Sequence, residues 1–400
     1  MIYLAGALGF LVALLLSVML HEGGHFLTAR HYGMKATHFF VGFGPTLFSR
    51  QVGETEYGVK AIPAGGYVKI VGMTPLEELE EADQERAFYR QPARRKVVVL
   101  AAGSTMHFLI AVLLVVGGTF AIGTVQEQPP SVGALACVVP TVADRCSPTS
   151  PPSPAQLAGL QAGDRVLAID GRPVPSVEAF QKAVRAAAGR PLAMTVDRDG
   201  ARQDLQVVPV QATRPSLTDA RVTEQVGAVG VQLALNYATE RVGPWESVQA
   251  SGTVMKTFAI GIKTTVTEKL GTVTKLYGDE RDPAGLVGIV GAGRISGEVL
   301  ASTETAGVKA LSFVLLVASL NLFVGLFNLL PLLPLDGGHI AVVVFESLRD
   351  KARRLRGYRG PLQRVDYNKL APLTYGVAGA FLLLTLFILG ADIVNPIRIG

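Results

Sequence analysis

Charged residues are scarce in this chain of 400 residues. Asp, Glu, Lys and Arg make up only 17% of it, whereas soluble domains carry about 25%. Apolar residues make up 49%. This composition argues against an ordinary water-soluble enzyme and against a disordered chain.

Cysteine is also scarce. Two cysteines exclude a disulfide-rich scaffold and a metal site built from several thiolates. The formal charge of +5, from 37 basic and 32 acidic residues, is mild. We therefore predict no nucleic-acid partner.

Four long runs carry no charged residue. A helix needs about 20 apolar residues to cross a bilayer, and the runs at 2–20, 97–125, 311–335 and 370–391 meet this requirement. Buried helices of a soluble protein are the alternative, which four such runs disfavour. The first run lacks a basic leader and a small-residue cleavage site, so we expect a retained span.

The positions of the basic residues predict the orientation of these spans, because cytoplasmic loops are enriched in Lys and Arg. Near the first two spans they are Arg30, Lys35, Arg94, Arg95 and Lys96. Between the last two spans they are Arg349, Lys351, Arg353, Arg354, Arg356, Arg359, Arg364 and Lys369. Both loops are predicted to be cytoplasmic, which puts both termini and residues 126–308 outside.

The first run ends in the motif H-E-x-x-H, formed by His21, Glu22 and His25. On a helix the two imidazoles lie on one face, about 6 Å apart along the axis, and can hold one Zn²⁺. Glu22 can then take a proton from the metal-bound water. The alternative is two hydrogen-bonded helix histidines, but ionisable groups at membrane depth cost at least about 2.5 kcal/mol and are functional by default.

A third ligand is expected at Asp336, within the stretch N-L-L-P-L-L-P-L-D-G-G-H. It lies at the inner end of the third run, at the depth that the first motif reaches. Pro331 and Pro334 should break the helix just before it. Asn328 can hydrogen-bond a substrate backbone, or alternatively a neighbouring helix.

The segment between the second and third spans contains a soluble pattern over 154–210. It reads as a short helix, a strand, an amphipathic helix over 177–188 and two strands joined at Asp199-Gly200. The phrases A-G-L-x-x-G-D and I-D-G resemble a PDZ domain, which binds extended peptides in a groove. Outside the membrane, Cys137 and Cys146 are favoured to form a disulfide, with two unpaired thiols as the alternative.

Together, H-E-G-G-H, N-L-L-P-L-L-P-L-D-G-G and the PDZ-like segment resemble the site-2 protease family of intramembrane zinc metalloproteases (M50 type) across essentially the whole chain. The actinobacterial Rip-type branch is the most similar. The resemblance implies one Zn²⁺ per chain held by His21, His25 and Asp336, with Glu22 as the catalytic base. It also implies substrate contacts at Asn328 and at a membrane-dipping β-hairpin. The hairpin residues that would contact the substrate are Gly65, Gly66 and Tyr67.

One departure from the family pattern concerns the second span. The family usually has A-G-P followed by an Asn, whereas this chain has Ala102-Gly103-Ser104 and then His107. We do not assign His107 to zinc, because a site with three protein ligands is already complete. His31, His38 and His339 are also expected not to bind the metal.

The predicted fold is a polytopic α-helical membrane protein with four transmembrane helices, a cytoplasmic-side β-hairpin region and an inserted extracytoplasmic PDZ (α+β) domain. The expected segments are helix 1 (1–30), the hairpin region (31–94), helix 2 (95–125), the PDZ domain (126–212), an amphipathic linker region (213–308), helix 3 (309–338), a basic loop (339–369), helix 4 (370–392) and a C-terminal tail (393–400).

The predicted function is that of a zinc endopeptidase in a bacterial cytoplasmic membrane. By the resemblance, it cleaves transmembrane segments of single-pass proteins, such as anti-sigma factors already cut outside. The PDZ domain would bind peptide segments. Two alternatives are a catalytically silent scaffold that uses its PDZ domain and a metal transporter, for which the PDZ insertion has no role.

Overall fold

The computed structural model describes residues 1–73, 79–141, 144–147, 150–217, 222–269, 273, 276–278, 281, 285–360 and 364–397. The chain forms two compact units. The helical unit comprises Met1–Gly123, Arg241–Thr303 and Lys309–Gly400, and the sheet unit comprises Thr124–Glu240 and Glu304–Val308. Within the predicted C-terminal tail, residues 398–400 lie outside the described part.

Helices and strands are numbered here in chain order. The α-helices are α1 (Ile2–His31), α2 (Glu81–Gln84), α3 (Ala93–Ile122), α4 (Pro154–Leu157), α5 (Val177–Arg185), α6 (Pro244–Thr264), α7 (Ile289–Ala301), α8 (Ala306–Asn328), α9 (Asp336–Leu355) and α10 (Tyr367–Val394). The strands are β1 (Ala36–Val52), β2 (Thr55–Ile70), β3 (Thr124–Leu135), β4 (Arg165–Ile169), β5 (Arg172–Pro173), β6 (Leu192–Arg198), β7 (Ala201–Val207), β8 (Val210–Pro215), β9 (Thr223–Ala228) and β10 (Val231–Glu240).

Four helices, α1, α3, α8 and α10, are long and apolar enough to cross a membrane, which confirms that part of the predicted fold class. The predicted third span over 309–338 needs correction, because α8 ends at Asn328 and a new helix, α9, starts at Asp336. Proline cannot donate a helical hydrogen bond, so Pro331 and Pro334 keep the intervening segment non-helical. Much of the predicted basic loop over 339–369 is helix α9.

Glycines let the helices of this unit approach closely. A Cβ atom on Gly24 of α1 would lie 2.7 Å from the carbonyl oxygen of Ala102 on α3. A Cβ atom on Gly6 of α1 would lie 2.9 Å from the Cα of Gly297 on α7. Small residues at such crossings are typical of helices in membranes. Within the predicted linker region over 213–308, helix α7 thus packs on α1.

The β-rich region of the helical unit is the hairpin of β1 and β2. The first part of β1, residues 36–41, pairs with residues 66–70 of β2 on one side and with residues 56–59 on the other. Residues 66–70 therefore form an edge of this sheet among the described strands. Below the sheet a core forms against α1 and α3, and it includes Phe26, Met34, Ile70 and Leu100.

The sheet unit has a mixed α+β core. Its strands lie in the order β10-β3-β4-β6-β7, with β5 on β4 and a separate β8–β9 hairpin. Phe180 of α5 packs with Leu192, Met194 and Val196 of β6. Cys137 and Cys146 form a disulfide, with their Cα atoms 6.0 Å apart.

This unit is longer than the sequence pattern indicated. The predicted linker region includes residues 213–240, whereas in the structure this stretch contains β9 and β10. Strand β10 pairs with β3 from Val231 opposite Leu135 to Glu240 opposite Thr124. This non-local pairing draws the later residues into the sheet.

Candidate metal centre

The H-E-x-x-H motif lies near the end of α1, and its histidines converge as their spacing predicts. The imidazole rings of His21 and His25 meet edge to face, with centroids 4.7 Å apart. Their Nε2 atoms are 3.1 Å apart. Both side chains are buried.

Asp336 completes a triangle with these two nitrogens. Its Oδ2 atom lies 3.4 Å from Nε2 of His21 and 3.4 Å from Nε2 of His25. Asp336 is the first residue of α9, so the non-helical segment that precedes it determines where its side chain lies. Gly338 lets this non-helical segment pack closely against α9, since a Cβ there would lie 2.5 Å from the backbone nitrogen of Leu333.

The triangle fits a zinc ion. A tetrahedral ion with bonds of about 2.0–2.2 Å holds its ligand atoms about 3.3–3.6 Å apart. The edges of the observed triangle, 3.1, 3.4 and 3.4 Å, are close to these separations between ligand atoms. Oδ2 of Asp336 is also buried and accepts no hydrogen bond among the described residues, as expected of an atom meant for a cation. Two imidazoles and one carboxylate would supply three protein ligands, the number typical of catalytic zinc sites.

A backbone carbonyl fixes the tautomer of one of these histidines. Nδ1 of His25 lies 2.7 Å from the carbonyl oxygen of Val99, which can only accept, so Nδ1 donates. The lone pair of the imidazole is then on Nε2, the atom that faces the triangle. Such partners of ligating histidines orient the ring and raise its basicity.

Glu22 is held by the hairpin. Its Oε2 atom accepts a hydrogen bond from the backbone N–H of Val68, at 3.0 Å. Gly66, two residues earlier, approaches α1 so closely that a Cβ there would lie 2.5 Å from Sδ of Met19. Tyr67 stacks on Phe40, with ring centroids 5.7 Å apart. The structure therefore brings the predicted hairpin residues beside Glu22.

The backbone of α3 closes another side of the site. A Cβ atom on Gly103 would lie 2.5 Å from Cε1 of His21. Sequence reasoning noted Gly103 only as part of a family phrase and missed its role, as it missed Val68 and Val99. The last two act through backbone groups, which leave no signal in residue type.

Asn328 and the other histidines are not members of this triangle. Asn328 is the half-buried last residue of α8. Among the described residues, the group able to hold a metal consists of His21, His25 and Asp336. His38 instead faces Glu56, with Nε2 and Oε2 3.7 Å apart, and His339 stacks on Tyr367. His107 lies next to His21, with ring centroids 5.0 Å apart.

Comparison with known proteins agrees with this geometry. The family model described as Peptidase family M50 matches residues 9–361. Zinc metalloprotease Rip1 of Mycobacterium tuberculosis strain H37Rv is 37% identical over 411 residues, covering 100% of both chains. Zinc metalloprotease Rip1 of Mycolicibacterium smegmatis is 37% identical over 416 residues, again covering 100% of both. A putative zinc metalloprotease of Brucella suis is 30% identical over 395 residues, covering 94% of each chain.

These relatives imply Zn²⁺ as the cofactor. Proteins of this family act on membrane-protein substrates in a bilayer, in keeping with the four apolar helices found here. The chain belongs to peptidase family M50, the site-2 protease family, and it is a zinc metalloprotease.

Proposed function

We propose that this protein is an intramembrane endopeptidase that cleaves transmembrane segments of single-pass membrane proteins. In this proposal His21, His25 and Asp336 bind the zinc ion and Glu22 is the general base. The observation that carries it is the buried triangle of ligand atoms, with edges of 3.1–3.4 Å, adjoining Glu22 on an apolar helix.

The chemistry divides between the metal and the chain. A zinc ion held by His21, His25 and Asp336 would supply a Lewis acid and would lower the pKa of water. Glu22 accepts a proton from the attacking water and returns it to the leaving amine. Its hydrogen bond from Val68 fixes the carboxylate for both steps.

The substrate must be extended when it is cut, because a helix hides its amides in its own hydrogen bonds. Residues 66–70 of β2 are an edge to which an extended segment can add as a further strand. Gly65 precedes this edge, Gly66 and Tyr67 begin it, and all three are the proposed substrate contacts. Asn328, beside the break that precedes Asp336, would hydrogen-bond the substrate backbone.

Exposed apolar side chains support the membrane-dipping role of the hairpin. On the far part of the hairpin they are Phe43, Leu47, Phe48 and Ile62, each at least 45% exposed. A soluble protein would leave such a cluster in water. Insertion into the lipid would cover it and bring the edge of the hairpin to the substrate.

The proposed location is a bacterial cytoplasmic membrane, with several spans and with both termini and the sheet unit outside. The distribution of Lys and Arg supports this orientation, and so does the Cys137–Cys146 disulfide, since oxidising compartments preserve such bonds. The sheet unit would act as a PDZ domain that binds peptide segments or restricts substrate size. Anti-sigma factors shortened by an earlier cut are the proposed substrates.

Cleavage of a model transmembrane segment in detergent tests the proposal. We expect parent protein to cut it and Glu22→Gln to retain zinc without cutting. Asp336→Ala should lose the metal, whereas Asp350→Ala, on the same helix, should keep it. Cutting by Glu22→Gln at the parent rate would refute the general base. A parent that holds zinc yet cuts no transmembrane segment would favour the scaffold alternative.

A further inference from the structure

The two histidine ligands are held in different ways. His25 is anchored by its hydrogen bond to Val99. Nδ1 of His21 is buried, and the polar group beside it is the backbone of Gly103, with which it forms a weaker hydrogen bond than the one that holds His25. The orientation of the His21 ring therefore also depends on packing, and its neighbours include the rings of His25 and His107.

His107 is itself fixed by a buried network that joins α1, α3 and α8. Its Nδ1 atom lies 2.8 Å from Oδ1 of Asn321. Asn321 also contacts the Oγ atom of Ser17, with Nδ2 and Oγ 3.0 Å apart. The exposed fractions of His107, Asn321 and Ser17 are 2%, 1% and 4%.

The direction of every hydrogen bond in this network is determined. Ser17 donates its hydroxyl proton to the carbonyl of Ala13, at 2.9 Å, so its oxygen accepts from Nδ2 of Asn321. The second N–H of that amide donates to the carbonyl of Val317, also at 2.9 Å. Oδ1 of Asn321 is therefore an acceptor, and Nδ1 of His107 donates to it. The imidazole has one allowed orientation and one allowed tautomer.

Close helix packing supports this arrangement. Gly325, one turn after Asn321 on α8, has so little room that a Cβ there would lie 3.0 Å from Cβ of His107. Gly103, one turn before His107 on α3, similarly borders the His21 ring. Helix α8 packs on α3 at His107, and His107 contacts the ring of His21. A movement of Asn321 would therefore displace the His21 ring.

We propose that His107, locked by Asn321, is a positioning residue that holds the imidazole of His21 in its metal-binding orientation. This inference rests on the proposed zinc ligation by His21. In this proposal Asn321 acts on His21 through His107, and neither residue binds the metal. Removing partners that orient a zinc ligand typically lowers metal affinity about 10–100-fold.

The test measures the zinc dissociation constant of the full chain in detergent by competition with a chromophoric chelator. The variants are Asn321→Leu, His107→Leu and the double substitution. A matched control is Ser251→Ala, which removes a buried contact with Thr119 between α6 and α3, at 2.9 Å. We expect each single variant to weaken zinc binding about 10–100-fold and the control to stay within about twofold.

The double variant decides whether Asn321 acts through His107. If it does, Asn321→Leu causes no further loss once His107 is Leu. Unchanged zinc affinity in both single variants, or losses that multiply in the double variant, would overturn the inference. A parent that binds no zinc overturns the proposed function as well, whereas a zinc-binding parent with unaffected variants overturns this inference alone.

A spectroscopic measurement gives a second criterion. Co²⁺ substituted for zinc absorbs visible light according to its ligand geometry, so the parent and Ser251→Ala should share one spectrum. We expect shifted bands in Asn321→Leu and His107→Leu. Identical spectra in all four proteins would contradict a positioning role.

Discussion

The backbone N–H of Val68 donates to Oε2 of Glu22 at 3.0 Å, which joins the edge of the hairpin to the proposed general base. The same strand segment pairs with β1 on its other side. One hydrogen bond therefore connects the hairpin edge, which is proposed to hold the substrate, to Glu22, which is proposed to move the proton. Displacement of the hairpin would also displace the carboxylate.

Removing that hydrogen bond should impair catalysis without removing zinc. Val68→Pro lacks the N–H, which points away from β1, so strand pairing should persist. A hydrogen bond to a charged group contributes about 1.5–3 kcal/mol, so kcat/KM should fall by roughly 10–100-fold. Val68→Ala keeps the N–H and should retain activity. Equal activity of the two variants would show that this bond does not orient Glu22.

A methyl group at Gly103 should disturb the metal site. It would lie 2.5 Å from Cε1 of His21, whereas a methyl at Gly117 of the same helix meets no atom within 4 Å. Overpacking costs about 1–3 kcal/mol, so Gly103→Ala should bind zinc at least about tenfold more weakly. Gly117→Ala should bind it normally. Zinc retained after dialysis against a chelator measures the difference, and equal retention would contradict this close contact.

Asp392 should be a main determinant of stability in the helical unit. It accepts hydrogen bonds from the N–H groups of Gly288 and Gly291, and its Oδ1 lies 2.8 Å from Nη2 of Arg281. The side chains of Asp392 and Arg281 are 1% and 3% exposed. Leaving such a cation unpaired costs about 3–5 kcal/mol.

We therefore expect Asp392→Ala to lower the unfolding temperature strongly. Glu54→Ala, which breaks the exposed pair with Arg86, should leave it nearly unchanged. Thermal unfolding of both variants in one detergent makes the comparison. If the two variants unfold at the same temperature, the buried pair is not a main determinant of the stability of the helical unit.

The sheet unit should lose stability in acid because of Asp164. Hydrogen bonds from Arg198 lower the pKa of its carboxyl below the ordinary 3.8, against the opposing effect of burial. The resulting stabilisation is present above the unfolded-state pKa and is lost as the pH falls through the lowered folded-state pKa.

Limited proteolysis of the full chain across pH 2–6 tests this expectation. The region 124–240 should become sensitive as Asp164 is protonated. Asp164→Asn, which lacks the titrating group, should be less stable near pH 6 and show a flatter dependence on pH. Matching pH profiles for parent and variant would assign the acid sensitivity to other groups.

Local patterns in the sequence predicted much of the site. The length of an apolar run is a local property, so the four candidate spans were identifiable, although the third was extended too far, past the end of α8 at Asn328. The spacing of His21 and His25 follows from helical geometry. Asp336 was expected to be the third ligand because it is an acid at the inner end of the third apolar run, at the depth that the first motif reaches.

The sequence by itself determined the apolar helices, the residue types of the candidate metal site and the position of the helix break. Only the tertiary structure decided how those residues are held: Val99 reaches His25 across 74 positions, Val68 reaches Glu22 across 46, and Asn321 reaches His107 across 214. The first two contacts use backbone groups that every residue type carries. The third depends on how three helices cross, which the close packing at Gly103 and Gly325 sets and which no local periodicity encodes.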